Sequence, residues 1–534
     1  MDKSLLWTRQ LNGETRYLML VTIHEYAVEK LEESGEAEAI RQRHAEYFLK
    51  LAEEAEPKLK GRDQLGWLDR LEAEHDNLRA ALGWTHARGE VEPGLQLAGA
   101  LGRFWEIRGY LSEGSSWFES LLAGVTQHTP TPMAAKAFCY AGALAWHHGD
   151  MALARTHLEQ AIALGRVLRD LSGLAIALHF LGECERRQGN LAAAQACQAE
   201  SLAVAQQAND AWAKALALYG LGCVAVITGD YTPARARLEE SLAIQRRLGD
   251  RWPVCLAVLS LGETARGQGD DAQATALYQQ SLALAQELGI KEVAAVCLHN
   301  LGWMTLRQGE RAPAAALFQA SLTLSREIGI KYCLAWSLAG LAAVAGGTPG
   351  GVHLFGAAES LLEAFGGEIE PTDRPDYDHA VAVARTALSE AAFAAAWGEG
   401  RALSVEQAIG LALELASEAQ RATEDDGRRT EEASPTAPPP SSVVRPPSTP
   451  LRESKERYGG LTAREREVAT LIAQGLTNDE IADQMSVVVK TVEKHVGNIL
   501  GKLGFENRAQ VAAWAVDRGL AAPPDDVATQ WRKG

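Results

Sequence analysis

Several signatures of enzymes and membrane proteins are missing from this sequence of 534 residues. There is no Gly-x4-Gly-Lys-Ser/Thr loop to hold a triphosphate, no Gly-x-Ser-x-Gly nucleophile elbow and no Cys-x2-Cys metal pair. No apolar run approaches the length of about 18 residues that a membrane helix needs, and no signal peptide is recognisable. We therefore expect a cytoplasmic protein that is not an enzyme, needs no cofactor or metal and has no membrane span.

The cysteine and histidine residues also do not form a recognisable metal-binding pattern. All seven cysteines lie between Cys139 and Cys333, where we interpret them as small buried residues in a reducing compartment. The pair His147-His148 has no accompanying set of metal-binding residues, and we predict that it lies on a loop surface.

A regular spacing of glycines fills the middle of the chain. The pattern Gly-x6-Gly recurs at one constant interval, at Gly102/Gly109, Gly142/Gly149, Gly182/Gly189, Gly222/Gly229, Gly262/Gly269 and Gly302/Gly309. A fixed period of this length is typical of a helical solenoid. The first glycine of each pair would allow close helix packing, and the second would end a helix in the left-handed conformation. An acidic residue or Asn usually follows, as in Thr228-Gly-Asp-Tyr231.

These units resemble tetratricopeptide repeats, although each is longer than the usual unit of that family. The resemblance implies an array of helix pairs over residues 101–340 with a concave groove that binds a protein or a small effector. A plain spacer is the alternative. Residues 341–420 stay rich in alanine and apolar residues at helical spacing, so we predict a helical cap. Residues 421–456 contain seven prolines and form a predicted disordered linker.

The segment from residue 457 to 521 has the pattern of a four-helix domain. Two capping boxes, Thr462-Ala-Arg-Glu465 and Thr477-Asn-Asp-Glu480, open short helices, and Val492, Val496, Ile499 and Leu503 form the apolar face of a third. Two short helices followed by a longer one predict a helix-turn-helix. Residues 522–534 form a tail.

Three runs in this segment resemble the LuxR-type (GerE-like) DNA-binding domain: Leu461-Thr-Ala-Arg-Glu-Arg-Glu-Val468, Gly475-Leu-Thr-Asn-Asp-Glu-Ile-Ala482 and Lys490-Thr-Val-Glu-Lys-His-Val496. The resemblance implies that the third helix enters the major groove of promoter DNA. Base contacts would then fall on Glu493, Lys494 and Gly497. Phosphate contacts would fall on Thr477, Lys490, Thr491, Asn498, Lys502 and Arg508. We interpret Val492 and Val496 as core, and His495 as a packed, hydrogen-bonded structural residue.

The fourth predicted helix carries Val511, Trp514 and Ala515. In the LuxR-like family this helix is the dimer contact, so these residues are candidates for pairing two domains on DNA. Packing of Trp514 inside its own domain is the alternative.

Two features weaken the expectation of tight DNA binding. Val488 stands where the family usually has a capping Ser, and residues 455–520 hold nine basic and nine acidic side chains. The whole chain has a net charge of −17. A vestigial DNA-binding domain on a repeat scaffold is therefore an alternative function.

The N-terminus has two apolar runs, Leu5-Leu-Trp7 and Tyr17-Leu-Met-Leu20, joined through Asn12-Gly13, which predicts a β-hairpin. Residues 1–35 resemble the end of the winged-helix domain in large ATP-binding LuxR regulators of the STAND class, and residues 36–100 resemble their linking helices. Because no nucleotide-binding loop is present, we expect a late gene start, a truncated gene or a form without ATPase.

We therefore predict an all-α chain with a short N-terminal β-hairpin remnant. It would be a transcription regulator that senses an effector or protein through its solenoid and binds promoter DNA as a homodimer in the nucleoid. RNA polymerase is a further candidate partner. A fragment of an ATP-switched regulator is a third interpretation.

Overall fold

The computed structural model describes residues 6–11, 14–19, 21–125, 131–364, 367–369, 371–432, 463–473 and 508–517, and residues 476–478, 481, 492, 495–496, 499–500, 502–503 and 505. The chain divides into an N-terminal unit, Met1–Ala433, and a C-terminal unit, Ser434–Gly534. No helix among these residues is both long and apolar enough to cross a membrane.

The N-terminal unit opens with two short strands. β1 (Leu6–Leu11) pairs with β2 (Glu14–Met19) in antiparallel register, with Leu6 opposite Met19 and Leu11 opposite Glu14. The strands therefore pair as the sequence predicts, while the turn at residues 12–13 lies outside the described residues. That the hairpin derives from a winged-helix domain stays a prediction.

Helices fill the rest of this unit, in agreement with the predicted all-α class. The first six are α1 (Val21–Ser34), α2 (Ala37–Lys58), α3 (Gln64–Ala73), α4 (His75–Ala87), α5 (Val91–Arg108) and α6 (Leu111–Leu122). The next six are α7 (Pro132–His148), α8 (Met151–Leu168), α9 (Leu171–Arg187), α10 (Leu191–Gln207), α11 (Ala211–Ile227) and α12 (Tyr231–Leu248).

The series continues with α13 (Arg251–Gly267), α14 (Asp271–Leu288), α15 (Lys291–Arg307), α16 (Arg311–Ile328), α17 (Lys331–Ala345) and α18 (Pro349–Ala364). It ends with α19 (Arg374–Ala387), α20 (Glu390–Arg401) and α21 (Val405–Glu432). Two predicted boundaries fall inside helices: residue 101 lies within α5 and residue 421 lies within α21. The helical pattern predicted for residues 354–362 corresponds to α18.

Each repeat is a pair of antiparallel helices, and the first glycine of each pattern sets their separation. A Cβ atom on Gly302 would lie 2.6 Å from the Phe318 ring, and one on Gly222 would lie 2.6 Å from Leu238. These contacts join the odd-numbered helix to the next helix in the chain. Any side chain at this position would therefore push the pair apart, which confirms the predicted role.

The second glycine of each pattern ends the odd-numbered helix in the left-handed conformation, with φ between 76° and 86° at Gly109, Gly149, Gly189, Gly229, Gly269 and Gly309. The next residue then begins the following helix. Asp150 and Asp270 accept backbone N–H groups at 3.0 Å as N-caps. Asp230 differs, since its carboxylate accepts the Thr228 hydroxyl at 3.0 Å and makes no side-chain cap.

The repeats wind into a superhelix whose successive turns touch. Arg103 on α5 donates to Asp250, which is 147 residues away at the start of α13. Arg187 on α9 donates to the Tyr332 hydroxyl on α17, which is 145 residues away. The odd-numbered helices therefore form the inner surface, and every fourth one lies against its counterpart on the next turn.

The C-terminal unit contains α22 (Ala463–Ala473) and α23 (Arg508–Asp517), which pack together. Its core combines their apolar residues with single residues of the sequence between them: Val468, Ala469, Leu471, Ile472, Ala473, Ile481, Val492, Ile499, Val511 and Ala515. The described residues from 492 to 503 are all helical. This arrangement agrees with the predicted first, third and fourth helices.

Candidate functional site

The contact between superhelical turns contains buried charges. The Asp250 carboxylate accepts hydrogen bonds from Gln64 Nε2 at 2.7 Å, Arg103 Nη2 at 3.1 Å and Trp212 Nε1 at 2.8 Å. Arg103 also donates to Glu106 Oε2 at 2.8 Å. Since a buried charge is costly unless it is paired, this network pairs the buried arginine with the buried aspartate and joins the two turns.

His147 lies in the same seam and corrects the prediction of a loop surface. It lies in the last turn of α7 and is 7% exposed, with Nε2 3.5 Å from Glu106 Oε1 and Nδ1 3.4 Å from Glu292 Oε2. Burial alone would lower the pKa of His147, but its contacts with Glu106 and Glu292 outweigh burial and raise the pKa to about 9. Only the tertiary structure brings Glu292 to this histidine, so sequence reasoning missed it. The neighbouring His148 is exposed, as predicted.

The pKa values of the Glu106 and Glu292 carboxylates shift in the opposite direction, downward. Burial would raise the pKa of Glu106, but Arg103 and His147 lower it to about 2. Glu292 is likewise held at a pKa of about 2 against burial, by His147, Arg187 and the Tyr332 hydroxyl. His147 is therefore a cation between two anions at neutral pH, and it joins α5 to α15 through α7.

A cavity of about 1200 Å³ lies inside the superhelix. Its walls come from both turns, since residues of α5, α7 and α9 and residues of α13, α15 and α17 all contribute. One apolar stripe crosses four inner helices at the same position of successive repeats, and it consists of Leu216, Leu256, Val296 and Trp336. Residues 367–369, Pro371 and Asp373 form part of the wall beside Trp336, whose Nε1 donates to the Glu368 carbonyl at 3.2 Å.

The cavity is polar as well as apolar. Among the described residues, eight carboxylates line it, against five arginine or lysine side chains and His147. Six of the seven cysteines of the repeats are buried, as predicted, and Cys197 is half-buried. Burial raises the pKa of the Cys223 thiol, on the cavity wall, to about 12, so this thiol is protonated and unreactive at neutral pH.

In the C-terminal unit, the helical stripe of the third predicted helix faces the core. Val492 and Ile499 are fully buried, and Val496 packs against the same cluster. The prediction that Val492 and Val496 are core residues is therefore confirmed. His495 is half-buried, but its Nδ1 atom has no hydrogen-bond partner among the described residues, so the predicted hydrogen bond is not found at that atom.

Most of the predicted DNA contacts lie outside the described residues. This holds for all three base-contact candidates, Glu493, Lys494 and Gly497, for the phosphate candidates Lys490, Thr491 and Asn498, and for Val488. The described helical residues that flank positions 493, 494 and 497 in the sequence include the buried Val492 and Ile499. The roles of these three residues in base contact stay predictions.

Three phosphate candidates can be placed. Lys502 and Thr477 are exposed, and the backbone N–H of Ile481 donates to the Thr477 carbonyl at 3.0 Å, so Thr477 stands at the first turn of a helix. Arg508 instead makes contacts within its own unit, to Asn478 Oδ1 at 2.6 Å and to the Leu476 carbonyl. It therefore ties the start of α23 to the segment before the second predicted helix.

The residues proposed for dimerisation lie on α23. Val511 and Ala515 are fully buried in the core of their own unit, whereas Trp514 and Ala512 are partly exposed. A substitution such as Val511→Glu would place a carboxylate in this core rather than on a surface. The predicted dimer contact therefore depends on the half-exposed side chains of this helix.

Comparison with known proteins identifies the two parts. Residues 460–515 match the model for bacterial regulatory proteins of the luxR family. The C-terminal unit contains a LuxR-type helix-turn-helix domain. Residues 132–207, 173–247 and 254–327 match the model for tetratricopeptide repeats, which agrees with the helix pairs of the solenoid.

Individual relatives cover parts of the chain. A putative HTH-type transcriptional regulator of Mycobacterium tuberculosis is 35% identical over 188 residues, which are 34% of this chain and 21% of the relative. The chain thus spans about a fifth of that relative's length. The DNA-binding transcriptional activator DevR/DosR of the same species is 42% identical over 74 residues, covering 14% of this chain and 34% of DevR/DosR.

Among solved structures, a Rap protein complexed with competence and sporulation factor aligns with a TM-score of 0.48 and 12% identity. The alignment covers 71% of this chain and 99% of that protein.

Proposed function

We propose that this protein is a DNA-binding transcription regulator whose LuxR-type domain binds promoter DNA and whose solenoid cavity receives an effector. The observation that carries the proposal is the match of residues 460–515 to the luxR family, together with a self-contained core in the same segment. The third helix reads the major groove through Glu493, Lys494 and Gly497, while Lys502 and Thr477 meet phosphates.

The protein binds DNA as a homodimer and acts in the cytoplasm at the nucleoid, without enzymatic activity of its own. Between Lys490 and Arg508 there are four basic and two acidic side chains, so one copy neutralises few phosphates. Two copies double these contacts and read two half-sites about 10 base pairs apart. Trp514 is the best placed side chain on α23 for this pairing, because it is large and half-exposed.

Selection of duplexes from a random pool by the full-length protein tests the proposal and supplies an operator. Affinity for the selected duplex should fall steeply with salt, because counterions are released from phosphates. Lys494→Ala should cost about 1–3 kcal/mol at the selected sequence and relax base preference at one position. Lys502→Ala should weaken all duplexes alike and reduce the salt slope by about one.

Lys331→Ala, an exposed lysine at the start of α17 in the N-terminal unit, serves as the charge-matched control and should change neither quantity. If Lys494→Ala leaves affinity and base preference unchanged, the placement of the recognition helix is wrong.

A repeat scaffold with a vestigial DNA-binding domain is the second candidate. The formal neutrality of residues 455–520 favours it, as does Val488 at the cap of the recognition helix. Failure to enrich any duplex, with both units folded, would support the scaffold instead.

A further inference from the structure

The cavity of the solenoid restricts the size of an occupant. Its two sets of wall helices are joined by the buried contacts of Asp250 and His147, so the turns do not separate freely. A volume of about 1200 Å³ is above the range of roughly 300–1000 Å³ for drug-sized ligands and far below that of a folded domain. The space therefore fits a linear segment of chain rather than a folded protein.

The spacing of the apolar stripe predicts how far apart the apolar side chains of the bound segment lie. Leu216, Leu256, Val296 and Trp336 occupy equivalent positions on α11, α13, α15 and α17, and these helices pack side by side. Neighbouring helices lie about 8–10 Å apart, which makes the stripe roughly 24–30 Å long. A polyproline II chain rises about 3.1 Å per residue, so every third side chain advances by about 9 Å. Four apolar side chains at every third position span ten residues, so about ten extended residues would present one apolar side chain to each helix.

Asn300 supplies a group that recognises a peptide backbone. It follows Val296 by one helical turn on α15, lines the cavity and is only 4% exposed. Its side-chain amide makes no hydrogen bond to any of the described residues. The amide faces the cavity, and a ligand that both accepts and donates would pair with its oxygen and its nitrogen. The peptide group, with its paired C=O and N–H, has this property.

At the Trp336 end of the stripe, the cavity wall favours a positively charged group of the ligand. Glu368 is exposed on the cavity wall and forms no ion pair with the described residues, and its carbonyl holds the Trp336 indole. A lysine or arginine placed there would meet a carboxylate and an aromatic face together. The same wall already holds one cation in this way, since the Arg187 guanidinium lies 4.3 Å from the Trp146 ring and 4.7 Å from the Tyr332 ring.

We propose that the cavity binds a linear peptide of about ten to twelve residues, with an apolar side chain at every third position and a basic side chain next to Glu368. This rests on the proposed sensor function and names its ligand class. The stripe fixes the spacing, Asn300 binds the peptide backbone, and Glu368 with Trp336 selects the charge at one end.

Calorimetry with the full-length protein and two synthetic peptide pools tests the proposal. Both pools have twelve residues with leucine at positions 1, 4, 7 and 10 and mixed uncharged residues between, and position 12 is lysine in one pool and glutamate in the other. The lysine pool should bind at least ten times more tightly. Glu368→Lys should reverse this preference, whereas Glu414→Lys, an exposed position on α21 outside the cavity, should leave it unchanged.

Asn300→Ala should weaken both pools at least fivefold without lowering the melting temperature, because no described residue loses a hydrogen bond. Equal binding of the two pools, or no binding of either at millimolar concentration, would overturn the inference.

Measuring the binding of a selected duplex by the same preparation separates the peptide inference from the proposed regulator function. Retained DNA binding without peptide binding rejects the peptide alone, whereas failure to bind any duplex rejects the proposed regulator.

Discussion

In the N-terminal unit, residues 147 positions apart in the chain meet, as Arg103 and Asp250 do, whereas the C-terminal unit builds its core within residues 468–515. The solenoid distributes its apolar burial over many helix pairs and adds buried charges where its turns touch. In the C-terminal unit, the core of the described residues has ten buried apolar side chains. A single polar change should therefore unfold the small unit, and should only loosen the large one locally.

The largest effect is expected for Val492→Asp in the C-terminal unit. Val492 is fully buried, and an unpaired carboxylate there costs more than about 4 kcal/mol, which is comparable to the whole stability of a small domain. Thermal unfolding followed by circular dichroism should lose the transition of the C-terminal unit and keep that of the solenoid. DNA binding should disappear.

The matched control for this change is Val383→Asp, because Val383 on α19 is 44% exposed. It should alter neither transition. A parallel loss of the solenoid transition in Val492→Asp would show that the two units do not unfold independently.

A smaller effect should follow from His147→Gln in the seam between turns. The substitution removes a cation that lies between Glu106 and Glu292, but Arg103 still pairs with the first carboxylate and Tyr332 and Arg187 with the second. We expect a loss of about 1–3 kcal/mol, measured by urea unfolding of the solenoid near pH 6.

The pH dependence of the same variant sharpens this test. The folded pKa of His147 is about 9 and exceeds its unfolded value of 6.5, so its contribution is complete below pH 6.5 and is lost as pH rises through 9. Glu106 and Glu292, with folded pKa values of about 2, contribute above pH 4.5 and lose that contribution as pH falls through 2. The variant should lack the alkaline decline, and an unchanged decline would assign it to other groups.

The smallest effects concern single glycines within the solenoid. Gly302→Ala places a methyl group 2.6 Å from the Phe318 ring and should destabilise the unit by about 1–3 kcal/mol. Gly398→Ala, in the last turn of α20 with nothing within 4 Å of the added Cβ, should instead stabilise by about 0.5–1 kcal/mol. Melting temperatures of the two variants should move in opposite directions, and a shift of the same sign would refute the role given to Gly302.

Local patterns could be predicted from the sequence because their causes are local. The constant interval between glycine pairs specified helix pairs, the first glycine their close packing and the second a left-handed helix end, since each depends on residues within one repeat or its neighbour. The apolar spacing of Val492 and Val496 likewise placed the core of the C-terminal domain, because helical periodicity determines which face is buried.

The superhelical turn was decided by the tertiary structure alone. Small rotations between successive repeats add up over four helix pairs, and no residue in the sequence marks where the sum brings Glu292 to His147 or Asp250 to Arg103. For that reason His147 was wrongly assigned to a loop surface, and neither the cavity nor the position of Asn300 on its wall could be predicted. The burial of Val511 and Ala515 has the same origin, since a helix with apolar residues can face its own core or a second copy, and only packing selects between them.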